Sequence, residues 1–116
     1  MGDFPGYGDV FLADCPARLA VEVIADKWSV VVLYALSRGP RRHGERVDLI
    51  GGISKKMLTQ TLRRLQRYGL VSREAHAEVP PRVEYDLTEL GTTLTEPIAM
   101  LTRWAEENGD AVLAAT

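Results

Sequence analysis

The stretch Gly52-Ile53-Ser54-Lys55-Lys56-Met57-Leu58-Thr59-Gln60-Thr61-Leu62-Arg63-Arg64-Leu65-Gln66-Arg67-Tyr68-Gly69 decides how the rest of the chain is read. Ser54 is a preferred N-cap residue, whose hydroxyl takes up a backbone N–H that the first helical turn leaves free. Gly69 is the residue type that ends helices in the left-handed conformation. Between them Leu58, Thr61, Leu62 and Leu65 recur at the three- and four-residue steps of one helix face, so that face turns inward. The other side carries Lys55, Lys56, Thr59, Gln60, Arg63 and Arg67, uninterrupted by any acid. A helix over about 54–68 with a cationic, hydrogen-bonding outer face follows.

Upstream, Pro16 suits a first helical turn, where its missing N–H costs nothing, and Leu19, Val23 and Ile24 fall near one face of a short helix ending about Ala25. Asp26 is placed to cap a second helix from Lys27, in which Trp28, Val31, Val32, Ala35 and Leu36 keep helical spacing until Gly39-Pro40 stops it. The Val30-Val31-Val32 run also suits a strand. From Arg41 to about Leu49 a polar stretch predicts a two-turn helix, and Ile50-Gly51-Gly52-Ile53 a tight turn. Downstream, extended runs about 70–77 and 82–87 flank a turn containing Pro80-Pro81. Val83, Tyr85 and Leu87 point one way and Arg82, Glu84 and Asp86 the other, which predicts a two-stranded hairpin with a solvated face. In the last segment, capped by Thr88, a stripe of Leu90, Leu94, Ile98, Leu101, Trp104 and Ala105 predicts a helix that Pro97 should kink or restart. Residues 1–14 show no period and read as a mobile arm, leaving 15–116 as one domain.

A chain of 116 residues suits a single domain, and 46% hydrophobic with 26% charged residues is an ordinary globular composition. The formal net charge of -2 and a pI near 5.7 conceal a segregation along the chain. From Arg41 to Arg82 ten Lys or Arg stand against four acids, whereas the remainder holds four against twelve. Phosphate binding depends on the charges that meet the backbone, not on the global sum, so a local basic surface suffices. A pair of solvated charged faces gives the same composition.

No apolar run approaches a membrane span, and Met1 to Asp14 carries three Asp and no Lys or Arg, unlike the start of a signal peptide, so a cytoplasmic protein with no membrane partner is expected. Cys15 alone excludes an intrachain disulfide and a Cys-rich zinc site. His43 and His76 stand apart from Cys15 in sequence, and neither a Gly-rich phosphate loop nor a His-Glu metal motif occurs. No catalytic residue, metal or cofactor is expected, and the chain is not read as an enzyme.

Short helix, glycine-containing turn, basic-faced helix and hairpin, in that order, describe a mainly α fold with a small β-hairpin, the winged helix-turn-helix, whose second helix enters a DNA major groove. On that reading Gln60 suits adenine, Arg63 or Lys56 guanine, and Thr59 a thymine methyl or a phosphate. Arg42, Ser54, Lys55 and Arg67 join them, and Arg73 and Arg82 bring charge to the wing, where an Arg can enter a minor groove.

Cys15-Pro16, Lys27-Trp28, Gly39-Pro40-Arg41-Arg42, the run from Gly52 to Thr59, Leu62-Arg63-Arg64-Leu65, Tyr68-Gly69-Leu70-Val71, the run from Pro80 to Thr88, and Trp104 together resemble the HxlR-type family of bacterial transcriptional regulators, in its order and spacing, over about residues 15–108. His43 and Arg46 depart from it where the family usually has Phe and Leu, and Ala25-Asp26 replaces its Gly-Gly. The resemblance implies a homodimer on a pseudo-palindromic operator, expected to repress. It also implies a recognition helix about 54–68, a wing about 70–88 and a C-terminal dimerisation helix about 89–108, with N- and C-terminal helices building the interface. Leu94, Ile98, Leu101 and Trp104 then belong to that interface, with packing inside the monomer as the alternative.

Several family members sense oxidants or electrophiles through a cysteine placed like Cys15. The positive end of a helix dipole and Arg18 one turn along favour a reactive thiolate there, and Asp14 opposes it. A structural buried cysteine is the rival. Control by a small ligand at the dimer interface, with Trp28, Tyr34 and Trp104 as walls, and a winged helix that binds protein instead of DNA are the other readings left open.

Overall fold

The computed structural model describes residues 15–39, 41–42 and 50–115 together with Leu12. The rest of the expected arm and residues 43–49 of the expected polar helix, with His43 and Arg46, lie outside the described residues, as do the side chains of Arg41 and Arg42, whereas Arg41–Arg42 at that helix's expected start form a strand instead. The elements are α1 Pro16–Ile24, α2 Ser29–Ser37, β1 Arg41–Arg42, α3 Lys55–Arg67, β2 Val71–His76, β3 Arg82–Leu87, α4 Glu89–Thr92 and α5 Thr95–Ala114. This is the mainly α chain with a small hairpin that the sequence predicts, extended by one short strand.

The core gathers around α2 and α3. Leu58, Leu62 and Leu65 are sealed from solvent and Thr61 is buried beside them, as the stripe of α3 requires. They meet Val32, Leu33, Ala35 and Leu36 of α2, Ile50 and Ile53 of the preceding turn, and Leu70, Val71, Tyr85 and Ile98. Leu33 lies outside the spacing that predicts α2's inward face, yet it is buried, while Val31 within that spacing is exposed. The cause is that α2 is covered on more than one side, being packed against α1, α3, α5 and β3, and an all-round apolar helix is what such a position selects. Asp26 caps the turn and not the helix proper: its Oδ2 accepts from the Trp28 N–H at 3.3 Å, and α2 starts at Ser29.

Helix α1 is different. None of its residues is buried, Leu19 lies outward, and only Val23 and Ile24 press against the core. Cys15 stands at its N-cap position, 5% exposed, with no capping bond from its side chain.

The sheet has the order β1-β3-β2, all antiparallel. Arg73 stands opposite Tyr85 and Glu74 opposite Glu84 across the hairpin, while β1 sets Arg41 opposite Tyr85 and Arg42 opposite Glu84 on the other side. Beyond β3, the Thr88 hydroxyl accepts from the Gly91 N–H at 3.0 Å and donates to the Gly69 carbonyl at 2.6 Å, tying α4 to the end of α3. Gly91 is required there, because a Cβ would overlap the Leu70 carbonyl oxygen.

Pro97 restarts the helix. After the single turn of α4, α5 begins at Thr95, which leaves Pro97 in a first turn whose N–H groups have no intrahelical partner to lose. The helix then runs on to Ala114, past the end expected near 108. Only Ile98 along it is buried, at 4% exposure within one chain, so this residue, expected at a subunit interface, belongs instead to the monomer core. Leu94 is half-buried against that core, whereas Met100, Leu101, Trp104, Val112 and Leu113 are exposed.

Candidate nucleic-acid interface

Helix α3 is fixed at both ends by its own sequence. The Ser54 Oγ accepts from the Met57 N–H at 3.0 Å, so this residue, expected to meet DNA, is held first as the helix cap. At the other end the Leu70 N–H donates to the Leu65 carbonyl and the Gly69 N–H to the Gln66 carbonyl, each at 3.0 Å, with Gly69 at φ +78°. This pair of bonds is the Schellman closure that a glycine's left-handed backbone permits. Arg64 and Arg67 in the last turn also complement the negative end of the helix dipole.

Four side chains of the outer face follow one line at four-, three- and four-residue steps: Lys56, Gln60, Arg63 and Arg67, all exposed. Lys55, also exposed, and Thr59, half-buried, flank the line. Three cations and one amide on the exposed side of a helix are the groups that phosphate contacts and base-edge readout require.

Arg64, one position along, does something else. Its Nη1 donates to the Val23 carbonyl at 2.9 Å and to the Ser29 Oγ at 3.1 Å, and its Nη2 to the Glu22 carbonyl at 3.4 Å. Helix α1 has no basic residue in its last turn, so a cation from α3 satisfies its terminal carbonyls. The sequence reading missed this residue. The available signal is helical phase, since Arg64 stands on the flank between the buried stripe and the cationic line.

The wing separates its charges. Arg73 is exposed and shares the sheet face of Val71, Tyr85 and Leu87. The other face carries Ser72, Glu74, His76, Arg82, Glu84 and Asp86. There the Arg82 Nη2 lies 3.3 Å from both Glu78 Oε1 and Glu84 Oε1, and the His76 Nε2 lies 3.1 Å from Glu84 Oε1. Arg82, expected to serve DNA, is therefore half-buried among acids and not grouped with the cations of α3. Glu78 and Glu84 are a second omission of the sequence reading.

Among the described residues no group of His, Cys, Asp and Glu is assembled that could hold a metal ion, and no helix is long and apolar enough to cross a membrane.

A capped helix with a cationic line, packed on an apolar helix and followed by a hairpin, defines a winged helix-turn-helix protein. The chain belongs to the HxlR-like helix-turn-helix family, whose model matches residues 23–112. It is 41% identical over 107 residues to the HTH-type transcriptional regulator YtfH of Escherichia coli (strain K12), covering 92% of this chain and 85% of that protein. The structure of a transcriptional regulator YtfH from Salmonella typhimurium superimposes with a TM-score of 0.82 at 38% identity, over 93% of this chain and 96% of that one. The redox regulator HypR in its reduced form superimposes with a TM-score of 0.76 at 36% identity, over 85% and 98% of the two chains. The family and the two YtfH relatives are helix-turn-helix transcriptional regulators, not enzymes.

Proposed function

We propose that this regulator is a sequence-specific double-stranded DNA-binding protein of the cytoplasm, acting as a homodimeric repressor on a pseudo-palindromic operator. The observation that carries the reading is the line of Lys56, Gln60, Arg63 and Arg67 on a helix held rigid by Ser54 and Gly69. Base-edge contacts fall to Gln60 and Arg63, and phosphate contacts to Lys55, Lys56, Arg67 and Arg73. Dimerisation accounts for α5, whose exposed Leu101, Trp104 and Leu113 form more apolar surface than a lone helix carries comfortably in water. The exposed Leu19 and Val21 of α1 extend that surface in the same reading.

Control by oxidants at Cys15 is a second reading, favoured by the similarity to the redox regulator HypR. A buried thiol needs local opening at the start of α1 before an oxidant reaches it.

The test is a fluorescence-anisotropy titration against the duplex flanking the protein's own gene, at two salt concentrations, with and without diamide. Tight binding that falls steeply with salt is expected. Binding indifferent to salt favours a protein partner instead. Release by diamide that persists in Cys15→Ser removes the redox reading, and binding indifferent to diamide turns the search to a small ligand at the dimer interface.

A further inference from the structure

The outer face of the wing carries a cation that the proposed DNA-binding role leaves unused. The Arg82 guanidinium is held by two carboxylates from different places in the hairpin: Glu84, two residues along the same strand, and Glu78 from the connecting turn. The His76 Nε2 lies 3.1 Å from the same Glu84 carboxylate, and β1 sets Arg42 opposite Glu84 on the other side of β3. Glu74 sits directly across from Glu84, and Asp86 shares the face, so this side of the sheet is net negative even with both Arg82 and the Arg42 register position counted. A phosphate approaching Arg82 meets carboxylates already in its place.

The geometry points to Glu84 as a specificity-determining residue: it sequesters Arg82 and His76, keeps the wing's outer face off the DNA backbone, and confines phosphate contact to α3 and the Arg73 side of the wing. This inference rests on the DNA-binding reading above. A backbone contact adds affinity for every sequence alike, whereas base contacts discriminate, so withholding one cation lowers non-specific binding and raises the ratio of operator to random binding. Glu78 acts in the same direction from the turn.

The experiment uses the full chain, with Glu84→Gln, Arg82→Ala and the double variant, titrated into a random-sequence duplex across a salt series. Circular dichroism melts of all three separate lost fold from altered binding. Arg82→Ala is expected to stay within about twofold of the wild-type affinity with an unchanged salt slope. Glu84→Gln should bind random duplex about three- to tenfold more tightly, with a slope steeper by about one, the signature of one more neutralised phosphate. The double variant should return to the wild-type values. Two results overturn the inference while leaving the DNA-binding reading intact: a shallower slope in Arg82→Ala alone, meaning Arg82 already meets phosphate, or a gain in Glu84→Gln that survives removal of Arg82. A wild-type protein that binds neither operator nor random duplex at low salt overturns the reading itself, and the inference with it.

Discussion

The Arg64 guanidinium donates to the hydroxyl of Ser29 at 3.1 Å, joining the flank of α3 to the first residue of α2 across 35 positions of sequence. Ser29 is fully buried, so its hydroxyl depends on this partner, and the same guanidinium closes the end of α1 through Val23. Arg64→Ala should cost about 2 kcal/mol of unfolding free energy, since buried acceptors lose a charged donor, and Ser29→Ala about 1 kcal/mol. Urea denaturation of both variants and of the pair measures this. Purely additive losses would show that the two residues do not act on each other.

Gly91 and Gly109 make a matched pair of helical glycines with opposite surroundings. A Cβ on Gly91 runs into the Leu70 carbonyl, which is backbone and cannot swing aside, whereas one on Gly109 meets open space. Gly91→Ala should destabilise by about 2 kcal/mol or more. Gly109→Ala should stabilise by about 1 kcal/mol, because alanine is the better helix former. Thermal melts of the two variants should move in opposite directions.

On the DNA-binding reading, Arg63 and Lys55 divide the labour of the helix face. Arg63 lies in the central line, and Arg63→Ala should weaken operator binding about tenfold or more while costing random duplex less. Lys55→Ala should weaken both by similar factors and flatten the salt slope by about one. Equal behaviour of the two variants would remove the distinction between reading and anchoring.

On α5, Ile98 and Trp104 separate folding from self-association. Ile98 is buried in the core while Trp104 is 55% exposed. Ile98→Ala should lower unfolding stability by about 3 kcal/mol. Trp104→Ala should leave a monomer's stability nearly unchanged and shift sedimentation toward half the wild-type mass. A wild-type protein that sediments as a monomer would remove the dimer from the proposal.

What the sequence made legible follows how far each interaction reaches along the chain. Helix α3 was readable because its cap, stripe and closing glycine all lie within Ser54 to Leu70, and the hairpin because alternation along Arg82 to Leu87 assigns its two faces. Helix α2 was half readable: its existence follows from spacing, but the burial of Leu33 depends on α5 and β3, which arrive from much later in the sequence. The role of Arg64 was not legible, since its acceptors Ser29 and Val23 lie 35 and 41 residues away. Strand β1 is two residues long, too short to carry a period, and exists because β3 offers it an edge. Arg82 was read as a DNA contact since charge alone does not reveal a partner, and hairpin pairing brings acids to it.

Because no residue of α1 is buried, that helix is anchored through Val23, Ile24 and the grip of Arg64 on its last carbonyls. The grip comes from the helix that carries the cationic line, so α1 and α3 are linked directly by hydrogen bonds. A displacement of α1 therefore bears on α3 through this guanidinium as well as through the apolar contacts of Val23 and Ile24 with the core. On the proposed reading of a DNA-binding homodimer held through α1, a small rotation of one copy against the other would change the distance between the two copies of α3, and with it the length of DNA that the pair can straddle.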